Sequence, residues 1–311
     1  MEFQYTPKVF FFSFLFCLGF NFQIYSQEDI SSGQFLLNES TLLKHIKSLS
    51  SNMFEGRRTG TIGAIKTQKY IINQFHTLNV LPFVENYKQS FSFIHKRNLY
   101  KADNVLGLIK GTEFPKKHIV ISAHYDHEGI KNGVIYNGAD DNASGLSALF
   151  SFAEYFMKYP PKHSVILAAF DAEELGLEGS KYFVNNTMIS RNDIVLNLNM
   201  DMISRSNKNE LYAVGTSFSK KLEYVLQHFD GPKSIKLLTG HDGFDGLENW
   251  TYSSDHASFH KKGIPFLYFG VEDHKDYHEP TDDYENIQPE FYIEAVKTII
   301  SVFERMDDSK F

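Results

Sequence analysis

Acidic and histidine residues gather in five short stretches of this chain: HYD at 124–126, ADD at 139–141, EE at 173–174, MD at 200–201 and DHKDYH at 273–278. Taken singly, each has a structural explanation. A carboxylate ahead of a helix, as Asp140 or Asp141 in NGADDNASG, satisfies free amides at the helix start. The pair Glu173–Glu174 suits a first helical turn, and His124 suits a hydrogen-bonded interior. Taken together they do not fit so easily. Five acidic or imidazole groups at the ends of neighbouring buried runs would repel and strip one another of water unless cations neutralised them. The chemistry this points to is divalent-metal binding, with a free carboxylate beside the metal to activate water.

Spacing suggests a division of roles. Side chains two residues apart on a strand share a face, so His124 and Asp126 can meet while His127 points away. Asp126 is therefore expected to hold the second ring nitrogen of a metal-bound His124 rather than to bind metal itself. A carboxylate bound to a metal is a weakened base, so the adjacent glutamates need different jobs, one as ligand and one as proton carrier. His274 and His278 lie in one segment, VEDHKDYHEPTDD, and spacing alone does not choose between them.

The elements that must position these groups are legible as apolar runs. NVLGLIKG, HIVISAHYD, HSVILAAFDAEE, IVLNLNMDMI and GIPFLYFG read as strands, and helical spacing of Leu146, Leu149, Phe150, Ala153, Phe156 and Met157 separates two of them. Continuous apolar runs with crossover helices predict strands buried on both faces, and ligands in such sheets bind beyond the strands' carboxyl ends. Helices are predicted after Asn38, over Ile65–Leu78 and over Pro289–Met306, the last with proline in its first turn. No internal repeat or linker divides the chain.

Charge and composition narrow the function classes. With 31 Lys and Arg against 38 Asp and Glu, the net charge is −7, which argues against a nucleic-acid partner. The opening MEFQYTPKVFFFSFLFCLGFNFQIYSQ has Lys8, an apolar run from Val9 to Phe22 and a small residue at Ser26. It reads as a secretory signal over 1–26, followed by a single domain over 27–311 that is secreted or periplasmic, with no stable membrane association after cleavage. The only cysteine, Cys17, lies inside that segment, so the mature chain is expected to hold neither a disulfide nor a thiolate ligand.

AHYD, GADDNASG, AAFDAEELGLEGS, LNMDMI, SSDHASFHKKGIPFLYF and YHEPTDDYENI occur in that order. Together with FEGRRTGTIG upstream, they resemble the zinc aminopeptidase family, which includes secreted bacterial dizinc aminopeptidases, glutamate carboxypeptidase-like enzymes and glutaminyl cyclases. The resemblance implies an α/β three-layer sandwich of the phosphorylase/peptidase-like kind, with a mostly parallel central sheet flanked by helices. It implies two Zn2+ ions per chain bridged by Asp141, one held by His124 and Asp201 and the other by Glu174 and His278. It places Glu173 as general base, puts Asp140 outside the ligand set, puts Asp255 and His256 on the pocket wall, and implies a cis peptide after Asp141. The expected activity is removal of N-terminal residues from a peptide substrate, with glutaminyl cyclase or a carboxypeptidase of the same fold as alternatives. Imidazole and carboxylate donors without thiolate suit zinc first, then manganese or cobalt. GHDGFDGLENW is expected to be a surface loop or a lid, and oligomeric state is not fixed.

Overall fold

The computed structural model describes residues 1–4 and 37–309. The leader expected around Lys8, Cys17 and Ser26 lies outside the described residues. All elements below belong to the unit Ser32–Phe311. The chain opens with α1 (Glu39–Leu49), whose first turn is capped by the Asn38 side chain accepting from Thr41 N, and α2 (Ile62–Thr77), capped by Thr61. Strands β1 (Leu81–Pro82), β2 (Lys88–His95), β3 (Asn98–Ile109) and β4 (Phe114–His124) follow, then a small hairpin of β5 (Gly129–Lys131) and β6 (Val134–Tyr136). Next come α3 (Gly145–Lys158), β7 (His163–Phe170), α4 (Glu178–Asn185), β8 (Ile194–Met200) and β9 (Glu210–Val214). The described chain closes with α5 (Lys220–Gln227), β10 (Lys236–Thr239), α6 (His256–His260), β11 (Phe266–Gly270) and α7 (Pro289–Asp307).

One nine-stranded sheet runs in the order β1-β3-β7-β4-β8-β11-β9-β10, with β2 paired to β3. The expected parallel pairing is found at the centre, where β7, β4, β8 and β11 are parallel, and in the edge pair β9 and β10. At the flanks β3 runs antiparallel to β7 and β9 antiparallel to β11, so the sheet is mixed. The physical reason is connection length. The β2–β3 pair is joined by a tight turn, which only antiparallel strands allow, whereas the central strands are linked through helices.

Every residue of β7 is buried, because helices cover both faces of the sheet there. Val165 and Leu167 pack with α1, α3 and α7, whereas Ile166 and Ala168 pack with Phe183 of α4 and Phe259 of α6. Alternate residues of one strand therefore feed two cores, which produces the three layers. Strand β10, by contrast, has no fully buried residue, and β2 has one.

Candidate metal centre

The parallel strands end together, and the acidic stretches lie just past their ends. His124 is the last residue of β4 and sits level with Phe170, the last of β7. Glu173 and Glu174 follow β7, Asp201 directly follows β8, and His278 lies in the segment after β11. Asp141 lies in an irregular turn, Ala139–Ser144, that leads into α3, and the Asp141–Asn142 peptide is cis.

The Asp141 carboxylate occupies the middle of this group. Its Oδ1 is 3.2 Å from His124 Nε2, which is also 3.2 Å from Asp201 Oδ1. Its Oδ2 is 3.2 Å from His278 Nε2, which is 3.3 Å from Glu174 Oε2. One carboxylate thus faces two donor sets, one per oxygen. Donor atoms of His124, Asp141 and Asp201 lie within 4.8 Å of one another, as do those of His127, Asp141 and Glu174. Glu128 also approaches Glu174 and His278, yet it is already paired with Arg58 at 3.3 Å and Lys131 at 2.8 Å.

Two sequence expectations change here. His127 does not point away: its Nδ1 lies 2.9 Å from Glu174 Oε1 and 3.6 Å from Asp141 Oδ2. Strand β4 ends at His124, so the period-two rule stops applying three residues too early for His127. Close packing also requires Gly138, which adopts φ +57°, because a Cβ there would fall 2.5 Å from the His127 ring. The second change concerns Asp126. His124 Nδ1 meets the Asp126 main-chain carbonyl at 3.0 Å, while the Asp126 carboxylate is 3.7 Å away. A ring that donates Nδ1–H to that carbonyl leaves the Nε2 lone pair facing Asp141 and Asp201, as a metal ligand requires. The Asp126 carboxylate instead accepts from the amides of Glu173 at 3.0 Å and Glu174 at 3.3 Å, fixing the turn that carries both glutamates.

The choice between the late histidines is made by their partners. His274 Nε2 donates to Asp140 Oδ2, 2.9 Å away, and Asp140 Oδ1 accepts from Ser204 N and Oγ, so both are absorbed in a buried network beside the site. Asp282, which spacing did not single out, accepts from the amides of Asp140 and Asp141 and holds their turn. Spacing does not place Arg57; its buried guanidinium donates to the carbonyls of Leu49, Tyr125, Asn137 and Gly138. It ties the loop after β4 to the loop carrying Asp141. Burial lowers its pKa to about 10, against the pull of Asp141, Asp282 and Asp126.

The electrostatics show a shortage of positive charge. Among the described residues no lysine or arginine forms an ion pair with Asp141, Glu173, Glu174 or Asp201. Burial opposes a charged His278 ring, but Asp141 and Glu174 raise it to about 11. Burial likewise opposes charge on His124, and Asp201 and Glu173 overcome it and raise its pKa well above the ordinary value. Burial and the nearby Asp141 charge would raise the Glu174 carboxyl, but the hydrogen bonds from His127 and His278 outweigh them and lower it to about 2. Glu173 differs from its neighbour: burial pushes its carboxyl well above the usual range, with the Asp201 and Glu174 charges adding to this against His124. These donors therefore suit a pair of divalent cations, being nitrogen and oxygen ligands around a shared carboxylate, short of charge by design of the fold.

A cavity of about 300 Å³ opens over Asp141, Glu173, Glu174, Asp201 and His278. Trp250 and Glu248 of the GHDGFDGLENW loop line it, so that loop forms part of the wall. His256 does not line it; it stacks on Tyr268 at 4.5 Å and bonds the Trp250 carbonyl at 2.9 Å, supporting the wall from behind. Asp255 is fully buried close to these groups, and burial raises its carboxyl to about 7.

Residues 104–303 match the family described as peptidase family M28, and the chain belongs to that family. Aminopeptidase YwaD of Bacillus subtilis is 31% identical over 205 residues, covering 61% of this chain and 41% of that protein. The chain thus spans less than half the length of that relative. A zinc aminopeptidase structure from Bacillus subtilis superposes with a TM-score of 0.68 at 17% identity, covering 88% of this chain and 97% of that one. A Bacteroides thetaiotaomicron glutaminyl cyclase bound to N-acetylhistamine superposes with a TM-score of 0.68 at 18% identity, covering 88% and 99%. The fold, a central sheet flanked by helices, is the one these proteins share. No helix among the described residues is long and apolar enough to cross a membrane.

Proposed function

We propose that this chain is a dizinc metallopeptidase that removes N-terminal residues from peptides. The observation that carries the reading is Asp141, whose two oxygens each face a separate histidine and carboxylate. In this reading His124 and Asp201 hold one ion, Glu174 and His278 hold the other, Asp141 serves both, and His127 orients Glu174. Divalent ions bound there would acidify a water and polarise the scissile carbonyl.

The chain's own groups do the rest. Glu173 makes no ion pair among the described residues, and burial raises its carboxyl well above the usual range, which makes it the stronger base of the two glutamates, able to take a proton from water and return it to the leaving amine. Asp126 keeps Glu173 and Glu174 apart in role by holding both amides, which fixes the direction of each carboxylate. Asp126 also sets the His124 ring through its carbonyl, so it acts as a positioning residue. The α-amine of a peptide would be drawn to the acidic floor of the cavity. Export to the periplasm or medium, and a single peptidase domain over 27–311, belong to the same proposal and rest on the apolar 9–22 run and the absence of a linker.

The test is zinc content and turnover of amino-acid anilides and N-terminally blocked peptides by wild type and Glu173→Gln. The expected result is a loss of roughly 10²- to 10⁴-fold in kcat with two zinc ions retained. Cleavage confined to blocked peptides would overturn the aminopeptidase reading, and ammonia release from glutaminyl peptides without chain cleavage would replace it with cyclisation.

A further inference from the structure

We propose that the cavity over the two donor sets selects peptides whose first side chain is cationic, lysine or arginine; this rests on the aminopeptidase reading. Two carboxylates that take no part in the donor sets, Glu248 and Asp273, line the same cavity as the site acids. They come from different segments, the loop before Trp250 and the stretch after β11. Among the described residues neither lies within 4.0 Å of a lysine, arginine or histidine nitrogen, and no lysine or arginine lines the cavity. Their neighbours outside it are matched. Glu272 lies 3.3 Å from His241, Asp276 lies 2.6 Å from Arg205, and Glu128 is held by Arg58 and Lys131. Glu248 and Asp273 are exposed at the cavity with no cation of the protein paired to them among the described residues.

Charge matching says what they would accept. The four site carboxylates, Asp141, Glu173, Glu174 and Asp201, are balanced in number by two divalent ions. Glu248 and Asp273 stay unbalanced, and they are near enough to repel: after burial, the Glu248 charge is the next cause raising the Asp273 carboxyl. An entering α-ammonium supplies one positive charge and a lysine or arginine side chain supplies a second. The cavity also suits the stem of such a side chain, because Trp250, Tyr268, Met202 and Val271 line it and offer apolar atoms for methylenes to cover. A carboxylate side chain directed at Glu248 and Asp273 would meet like charge and is disfavoured.

The experiment compares lysine, arginine, norleucine and glutamate anilides with the zinc-loaded protein, in wild type and in Glu248→Gln/Asp273→Asn. Norleucine keeps the stem and drops the charge. The expected lysine-to-norleucine ratio in kcat/KM is roughly ten- to a hundredfold, carried mainly by KM, and it falls toward one in the double variant and in high salt. Trp250 is the only tryptophan of the chain, so its fluorescence also reports binding of lysinamide against norleucinamide without turnover. A ratio of one or less in wild type by either readout, or a ratio that survives in the double variant, overturns the proposal. If no free-amine substrate turns over while lysinamide still binds the more tightly, the selectivity stands and the aminopeptidase reading falls. Should the double variant fail to fold, the wild-type ratios decide.

Discussion

The two ends of the central parallel strands treat charge in opposite ways. At the amino-terminal end each acid meets a cation or amide of the protein. Lys117 of β4 lies 2.8 Å from Asp193, just before β8, and Asp307 at the end of α7 accepts from the amides of Lys162 and His163 and lies 2.8 Å from His163 Nδ1. At the carboxyl end the ion-pair partners of Asp141, Glu174 and Asp201 among the described residues are imidazoles, and Glu173 has none. Asp307 is as buried as Asp201, so burial alone does not explain the contrast. Charge matched within the chain contributes stability, whereas the acids at the carboxyl end suit bound cations, as proposed above.

The contrast fails most visibly if cations are unnecessary. Chelation of the zinc-loaded protein is expected to lower its stability by about 4 kcal/mol or more, since ligand at about a thousand times its dissociation constant contributes that much. For a domain of this size the thermal midpoint would fall by roughly 10 °C. Calorimetry with and without chelator measures it, and a midpoint that does not move would mean the acids tolerate each other unaided. Arg57→Met sharpens the point. Removing the guanidinium frees four buried carbonyls and loosens the two loops that carry His127 and Asp141. Zinc affinity measured by competition with a chelating dye is expected to drop by roughly tenfold or more, as for other groups that support metal ligands from behind.

Much of this candidate centre is legible in the sequence, because β7 and β8 are mostly apolar runs that stop just short of acids, and a run buried on both faces needs no periodicity to be seen. The missing parts are missing for physical reasons. His127 escaped because alternation was carried past the end of β4, where Tyr125 turns inward to bond Asp171 and the chain is no longer extended. Arg57 escaped because an arginine in sequence reads as surface; only the fold brings it carbonyls from residues 68 to 81 positions away. Asp282 escaped because a carboxylate that accepts from main-chain amides leaves no spacing pattern, and PTDD looks like a turn. The short strands β9 and β10 carry five and four residues, too few for a pattern to show.

A smaller effect belongs to the buried part of the amino-terminal end. Asp307 is nine-tenths buried and accepts from two amides and an imidazole, so Asp307→Asn leaves at least one donor poorly satisfied. A loss of about 1–3 kcal/mol in urea denaturation is expected, with zinc content and turnover unchanged. A change in bound zinc would show that the two ends are coupled and that the contrast between them is too sharp.

The smallest effect is expected at Lys117, where the pair with Asp193 is half exposed. Water and salt screen such pairs, and ordering the lysine costs side-chain entropy, so Lys117→Met should barely move the midpoint. Its sign is nevertheless fixed by linkage. The hydrogen bond from Lys117 holds the Asp193 carboxyl below its ordinary 3.8. Asp193 therefore contributes its stability above the unfolded-state pKa and loses it as pH falls through the lower folded-state value. Any difference between wild type and Lys117→Met should be present at pH 7 in dilute buffer, shrink in about 1 M salt, and vanish once Asp193 is protonated in both states. A difference that persists in salt would mean that matched pairs at this end are shielded as the acids at the other end are, leaving the missing cations at the carboxyl end as the only distinction between them.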